Sequence, residues 1–391
     1  MPPDGKTSSS IVLSEAGRAV AESQDLDCIH GPQKLGFRRA LPHNLLITPV
    51  PPTRIDTRAS SPTDARLGRI VRLLSDNATV VISGQRIAEQ LGTSRSEVWR
   101  AVQYLRQLGV QITGHLATGY QLMAVPDLLL PDALSPMLSG TIFGSHIRHY
   151  FSIGSTNVAA MQAAAEGAPE GAVFLAEEQT AGRGRGDHTW DSAASLGIYC
   201  SVVLCPQMSP LDALFLSLMT GLAVADAVEH TTGLHPDLRW PNDVLLNGRK
   251  FCGVLTEMNA EPTRVRYVVI GIGLNVNHES FAGELHPIAT SLRMESGREW
   301  SRVALIAALL KSLDAHYRRL AEGRPGEHAE IIRSFEQRSS WARSRRVVVA
   351  DNGSGYEGVT EGLNDRGFLM LRVGDQLRTV LSGNVRAADG T

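Results

Sequence analysis

The apolar residues of this chain change period twice along its length, and that change limits the fold more than any single motif does. From residue 64, Leu67, Ile70, Val71 and Leu74 recur at i, i+3, i+4 and i+7, which makes one face of a helix. From about 140 to 322, helix-period segments such as "RVALIAALLKSLDAHYRRL" alternate with strand-like runs such as "RYVVIGIGLNV". From 344 the chain turns β-rich: "RRVVVA", "YEGVTEGL", "GFLMLRV" and "LRTVLS" are separated by "DNGSG", "NDRG" and "GDQ" turns. One core does not satisfy all of these patterns, so the chain reads as α/β (α+β) built from separate units. They are an N-terminal winged helix-turn-helix over 64–124, a central mixed-sheet domain over 140–341, and a five-stranded SH3-like β-barrel over 342–391. Residues 1–62 are rich in Pro, Ser and Thr without lasting periodicity and read as a disordered leader, or as the product of a misassigned translation start.

The winged-helix reading rests on local chemistry. Ser83 is placed to cap "SGQRIAEQLG", and Gly92 lies just past its end. Ser94 and Glu97 form a capping box at the head of "SRSEVWRAVQYLRQLG", whose Val98, Ala101, Val102, Leu105 and Leu108 make an apolar stripe. "VQITGHLATGYQL" reads as two short strands about a turn, which completes three helices and a wing. Arg95, Ser96, Trp99, Arg100 and Gln103 fall on the groove-facing side of the third helix. Arg and Gln can read base edges with paired hydrogen bonds, and Ser suits phosphates. A protein-interaction winged helix is the alternative. Net charge is −2 with a pI near 6.6, so no global basic field advertises nucleic acid and any DNA surface is local.

Cys28, Cys200, Cys205 and Cys252 form no CxxC pair, and three lie within or beside apolar runs. They read as reduced, buried thiols of a cytoplasmic protein. No apolar stretch reaches the roughly 18 residues a membrane span needs. The N-terminus has neither the charged nor the apolar region of a secretion signal.

Chemistry concentrates in four segments. "EEQTAGRGRGDHTW" lies between two strand-like runs, and its alternating glycines let backbone N–H groups approach an anion while Arg183 and Arg185 add positive charge. Its spacing is neither a Walker A nor a G-x-G-x-x-G fingerprint, and a solvated surface loop is the bland alternative. "RWPNDVLLNGRKFCGVLTE" carries Asn242 and Asp243, which could be mere turn formers, and leads to Lys250. In "VVIGIGLNVN", Gly271 and Gly273 would admit a ligand to the strand backbone, or simply end a buried strand. Ser155-Thr156-Asn157 opens a helix and could be only an N-cap.

In this order and spacing, "STN", "AGRGR…W", "WPND", "GRKFCGVLTE" and "GIGLNVN" resemble the biotin–protein ligases, also called biotin–acetyl-CoA-carboxylase ligases. The resemblance covers roughly 64 to 388 and, with the winged helix, extends to the bifunctional form that is also the biotin operon repressor. It implies a class II-synthetase-like catalytic domain, with biotin, ATP and Mg²⁺ as reactants. The implied acceptor is a lysine of the biotin carboxyl carrier protein of acetyl-CoA carboxylase. It further implies operator DNA as a partner, palindromic if the protein binds as a homodimer, and no membrane.

The same resemblance assigns roles. Ser155, Thr156 and Gln179 would hydrogen-bond the ureido ring, beside Asn157. Arg183 and Arg185, with Gly182 and Gly184, would sit on a lid over biotin and the adenylate, and Trp190 would pack near adenine. Asn242, Asp243 and Lys250 would lie near the phosphates, the magnesium or the reacting carbonyl, and Asn275 near the nucleotide. Gly253, Gly271 and Gly273 would line the floor, and no protein metal ligand is assigned. Apart from the resemblance, a lysine with a free pKa of about 10.4 is mostly protonated at neutral pH, so a carboxylate such as Asp243 would orient or deprotonate the acceptor.

The physics agrees. A carboxylate that attacks the α-phosphate brings two anions together, and a mixed anhydride needs shielding from water. Two departures stand out: Arg239 occupies the position before WPND that is typically lysine, and Asp187 offsets the charge of the lid. Two other functions stay open. One is a lipoate or octanoate ligase on the same fold, against which WPND, GRGR and the barrel argue. The other is a biotin-sensing DNA-binding repressor without ligase activity.

Overall fold

The computed structural model describes residues 10–12, 62–115, 118–124, 127–186, 188–351 and 354–388. Most of the expected leader, with Cys28, and the lid residue Asp187 lie outside these. Within the leader, Ser10–Val12 forms a strand, β1, that pairs antiparallel with residues 257–259.

The winged helix comprises α1 (Pro62–Asp76), α2 (Gly84–Leu91), α3 (Arg95–Gln107), β2 (Ile112–His115) and β3 (Gly119–Leu122). Ser83 caps α2 by accepting from Arg86 N at 3.1 Å, and Gly92 ends it with φ 60°. Ser94 and Glu97 make the expected capping box on α3, and Arg66 bridges to Glu97 at 3.2 Å, tying α1 to α3. Leu67, Ile70, Val98, Val102 and Leu105 are buried together, and Phe151 from the next unit joins that cluster. The Phe151 N–H donates to Asp64 Oδ1 at 3.0 Å.

After the short helix α4 (Pro131–Leu134) comes the central unit. Its first half holds β4 (Ile147–Tyr150), α5 (Thr156–Ala165), β5 (Val173–Ala176), β6 (Gly197–Leu204), α6 (Leu214–Thr232), β7 (Asp237–Arg239) and β8 (Asp243–Leu246). Its second half holds β9 (Arg249–Ala260), β10 (Val265–Asn275), α7 (Leu292–Ser296), α8 (Arg302–Ala321) and α9 (Glu327–Gln337). The strands order as β4-β5-β6-β10-β9-β8-β7, with β4 and β5 parallel and the other neighbours antiparallel.

Strand alternation sorts the two faces of this sheet. Cys200, Val202, Cys252, Val254, Ile270 and Ile272 point into the large core under α6 and α8. The intervening positions turn toward α5, and several there are polar or glycine: Ser201, Gly253, Glu257, Gly271 and Gly273.

One expectation needs correction. Pro210–Thr232 spans 23 residues and contains an 18-residue stretch of mean hydropathy 1.7, enough by length and composition to cross a membrane. In the fold this segment is a core helix, with Phe215, Leu218, Leu222 and Val228 buried and packed on α8 and α9.

The C-terminal strands β11 (Arg343–Asp351), β12 (Ser354–Leu363), β13 (Leu369–Val373), β14 (Gln376–Val380) and β15 (Asn384–Ala387) form one antiparallel sheet, ordered β14-β13-β12-β11-β15. Val347, Val349, Leu371 and Val385 join its core to that of the central unit. The Trp240 indole donates to Gly367 O at 2.9 Å, which fixes the WPND turn against this sheet.

Candidate active site

The glycine-arginine segment folds as a tight hairpin. Gly184 N–H donates to His188 O at 2.8 Å and Trp190 N–H to Gly182 O at 3.0 Å, so Arg183 faces Thr189 across a β-bridge. The hairpin lies on β9 and β10 and carries Trp190 onto their glycines. A Cβ on Gly273 would stand 2.5 Å from the indole, and one on Gly253 3.0 Å from it. These positions must be glycine because the indole occupies the space a side chain would need. Lys250 Nζ lies 5.3 Å from the centre of the same ring. Arg185 donates to Gly383 O at 2.9 Å, so the hairpin also touches the C-terminal sheet.

Beneath it sits a network of uncharged polar groups that ends on one ion pair. Gln179 Oε1 accepts from Thr156 N at 2.8 Å and Thr156 Oγ1 at 3.0 Å, and its Nε2 donates to Ser192 Oγ at 2.9 Å. Ser201 Oγ lies 2.8 Å from Thr156 Oγ1 and 2.6 Å from Asn157 Oδ1. Asn157 Nδ2 donates to Glu257 Oε2 at 2.9 Å, and Glu257 Oε1 faces Arg183 Nη1 at 3.3 Å. Ser155, Thr156 and Asn157 are buried because α5 begins against the sheet. The Ser155 side chain makes no capping bond, so the bland N-cap reading does not account for it.

At the other end, Asp243 is held between two cations: Arg239 Nη2 at 2.7 Å and Lys250 Nζ at 2.5 Å. Burial pushes its carboxyl up, but Lys250 and then Arg239 outweigh that and hold it below the usual aspartate value. Asn242 exchanges two bonds with β9, accepting from Val254 N at 2.9 Å through its carbonyl and donating Nδ2 to Val254 O at 2.7 Å.

Most of the expected residues line a single cavity: Ser155, Thr156, Asn157 and Gln179 at one end, Arg183, Gly184, Arg185 and Trp190 over it, and Asn242, Lys250, Gly253, Gly271 and Gly273 along the floor. Gly182, Arg239, Asp243 and Asn275 do not line it. Gly182 is buried behind the hairpin. The Arg239 guanidinium sits 5.2 Å from the centre of the Trp341 ring, and Asn275 turns its amide to Thr290 O at 3.1 Å. Motif reading did not select Ser192, Ser201, Tyr199 or Glu257. For Tyr199, Ser201 and Glu257 a signal was present, since each is a polar position on an otherwise apolar strand, whereas Ser192 lies in the loop before β6 and carried none. Burial pushes the thiols of Cys200 and Cys252 up, so they are inert in this site.

On the winged helix, Arg95, Ser96, Trp99 and Arg100 are exposed along one side of α3, with Trp99 56% exposed. Gln103 is half-buried beside Arg106.

Comparison with known proteins agrees with this arrangement. Residues 152–275 match the biotin/lipoate A/B protein ligase family, and residues 66–121 match an HTH domain. The bifunctional ligase/repressor BirA of Bacillus spizizenii is 34% identical over 319 residues, which is 81% of this chain and 97% of that protein. The biotin–[acetyl-CoA-carboxylase] ligase of Mycobacterium tuberculosis is 36% identical over 237 residues, 59% of this chain and 85% of that protein. The biotin protein ligase of Aquifex aeolicus, solved in complex with biotin and ATP, superposes with a TM-score of 0.54 at 26% identity, covering 62% of this chain and all of that one.

Proposed function

Because the chain belongs to the family of bifunctional biotin ligase/repressors, we propose that its cavity joins biotin to ATP as biotinyl-5′-adenylate and passes the biotinyl group to a lysine of a biotin carboxyl carrier protein. One observation carries this reading: a neutral polar network and a set of cations share one cavity under a tryptophan-bearing lid. The network suits the ureido ring of biotin. Ser155, Thr156 and Gln179 are buried or half-buried there, and the donors and acceptors of Thr156 and Gln179 are already oriented by one another.

Lys250, Arg183 and Arg185 reduce the repulsion between biotin's carboxylate and the α-phosphate as the new acyl–phosphate bond forms and pyrophosphate departs. The hairpin then covers a mixed anhydride that water would hydrolyse. In the second step the acceptor amine attacks the acyl carbon and AMP leaves. Asp243 is a poor proton acceptor, because two cations hold its carboxyl below the ordinary value. Its role is to hold Lys250; the acceptor lysine attacks as the neutral amine after losing its ammonium proton to bulk water, and the proton freed as the amide forms follows the same route.

Among the described residues, no group of three or more His, Cys, Asp or Glu is gathered to hold a metal ion. The acids of the site, Asp243 and Glu257, are already paired with Arg239, Lys250 and Arg183. Mg²⁺ fits here as the counter-ion that ATP brings on its phosphates.

Arg239 does not weaken the enzyme reading, since it pairs with Asp243 outside the cavity and its charge, which a lysine would share, is what that contact uses. The exposed face of α3 is the operator-reading surface, with Arg95, Trp99 and Arg100 in the groove and a dimer on a palindromic site as the binding form.

Biotin-dependent exchange of labelled pyrophosphate into ATP tests the first step. Exchange with biotin and none with lipoate or octanoate is expected. Exchange that prefers a lipoyl or octanoyl acid would overturn the reading.

A further inference from the structure

We propose that Glu257 is a positioning residue that couples recognition of biotin's head group to closure of the lid, an inference that rests on the reading of the cavity above. Glu257 lies on β9 two residues beyond Leu255, on the face that carries Gly253, and its side chain is 3% exposed. A carboxylate so deeply placed is costly unless both oxygens find partners. Each oxygen has a different one: Oε2 takes the Asn157 amide at 2.9 Å, and Oε1 faces Arg183 at 3.3 Å.

The first contact decides which way the Asn157 amide points. A carboxylate only accepts, so it draws Nδ2 toward itself and leaves Oδ1 as the acceptor on the cavity side. That oxygen lies where a Cβ on Gly271 would be 2.1 Å away, and it takes the Ser201 hydroxyl at 2.6 Å. A carbonyl oxygen has two lone pairs, so one remains for an N–H of a cyclic urea. A dithiolane or an alkyl chain has no such donor, and a site built around unmet acceptors discriminates strongly against ligands that cannot satisfy them.

The second contact holds the lid. Arg183 opens the hairpin, opposite Thr189, and its side chain is 48% exposed apart from this anchor. A negative charge in an anion-binding site works against the substrate unless it does something else. Here it ties the hairpin to the same amide that reads the head group.

The test follows adenylate on the full-length protein. Wild type, Glu257→Gln, Arg183→Gln and the double variant are each loaded with biotin and ATP, and the release rate of biotinyl-5′-adenylate is measured at low and high salt. Glutamine still accepts from Asn157 but cannot pair with Arg183. The Glu257→Gln protein should therefore keep a near-normal KM for biotin while releasing adenylate faster, by up to about fivefold, the weight of an ion pair with one half-exposed partner. Its release should also lose the salt dependence of the wild type. Arg183→Gln, which also removes a cation from the cavity, should release adenylate at least as fast, and the double variant should release it no faster than Arg183→Gln alone, the signature of a coupled pair. Wild-type release from Glu257→Gln, or additive effects in the double variant, would overturn the proposal. Failure of the wild type to form any adenylate would overturn the reading of the cavity, and this inference with it.

Discussion

At the scale of single residues, the site is an arrangement of charges in which the paired acids are as informative as the bases. Replacing Asp243 with Asn removes the anion between Arg239 and Lys250, so transfer from preformed adenylate to the acceptor should slow by about tenfold, the weight of the charge-assisted contact that holds Lys250. Transfer at the normal rate would contradict the role given to Asp243. The sign of its pKa matters too. The carboxyl is held below the ordinary aspartate value of 3.8, so it stays ionised as pH falls through the weakly acid range. An acid limb in the rate of transfer between pH 5 and 7 is therefore not expected from this group, and a limb there that Asp243→Asn abolishes would contradict the assignment. Gly273→Ala drives a methyl group to 2.5 Å from the Trp190 indole. Overpacking of this kind costs ~1–3 kcal/mol, so kcat/KM for ATP should fall by about ten- to hundredfold. Unchanged ATP kinetics would show that the indole does not form part of the nucleotide site. These glycines were legible in the sequence as close-approach positions, but not what approaches them. Ser201 and Glu257 were missed because polar residues inside apolar strands were read as strand, although their alternation with core residues was already visible.

At the scale of elements, short-range signals were the readable ones. The capping box at Ser94 and Glu97 and the Gly92 stop after α2 were predictable because each is settled within a few residues. Ser94→Ala should cost about 1 kcal/mol and lower the melting temperature of the winged helix by a few degrees. A shift of zero would mean that tertiary contacts such as Arg66–Glu97 carry the helix start alone. The exposed face of α3 makes a separate prediction: Arg100→Ala should weaken operator binding by ~1–3 kcal/mol in a mobility-shift titration, and undiminished binding would move the recognition surface elsewhere. The lid was legible as a cationic glycine-rich segment. Its hairpin form was not, because the bonds from Gly184 to His188 and from Trp190 to Gly182 depend on register across the turn. Asn275 was placed on the nucleotide by its motif, yet its amide serves Thr290 O. That partner is set by the path of the chain between β10 and α7, which no local pattern encodes.

At the scale of the whole molecule, the catalytic unit and the connection that follows the winged helix share a buried ionic joint. Arg302, 1% exposed, meets Glu177 at 2.8 Å, and Glu177 also takes His149 at 2.9 Å and Leu129 N at 2.8 Å. Asp127, in the connection from the winged helix, caps α8 through the N–H groups of Arg302 and Val303 at 2.9 and 3.1 Å. Gln179 of the candidate site lies two residues past Glu177, so the joint and the cavity share one short segment. Burial pushes the Glu177 carboxyl up, but Arg302 and His149 hold it below the usual glutamate value. A depressed folded-state value means that its stabilisation is intact above the ordinary glutamate value of 4.5 and is lost as pH falls through the folded one. Arg302→Met strands a buried carboxylate and should destabilise the protein by roughly 3–5 kcal/mol, read as a lower denaturation midpoint, and an unchanged midpoint would show the joint to be dispensable. Three units with different apolar periods were evident from the sequence, but this joint was not, because it brings together residues far apart in the chain. The central claim is that one cavity makes a biotinyl adenylate and delivers it. The most direct test is a coupled assay on the full-length protein, following pyrophosphate release from biotin and ATP and then the mass of a biotin acceptor domain. The account predicts stoichiometric pyrophosphate followed by the addition of one biotinyl group to the acceptor lysine. Biotin binding with neither pyrophosphate nor acceptor modification would contradict it and leave a sensor that binds biotin without chemistry.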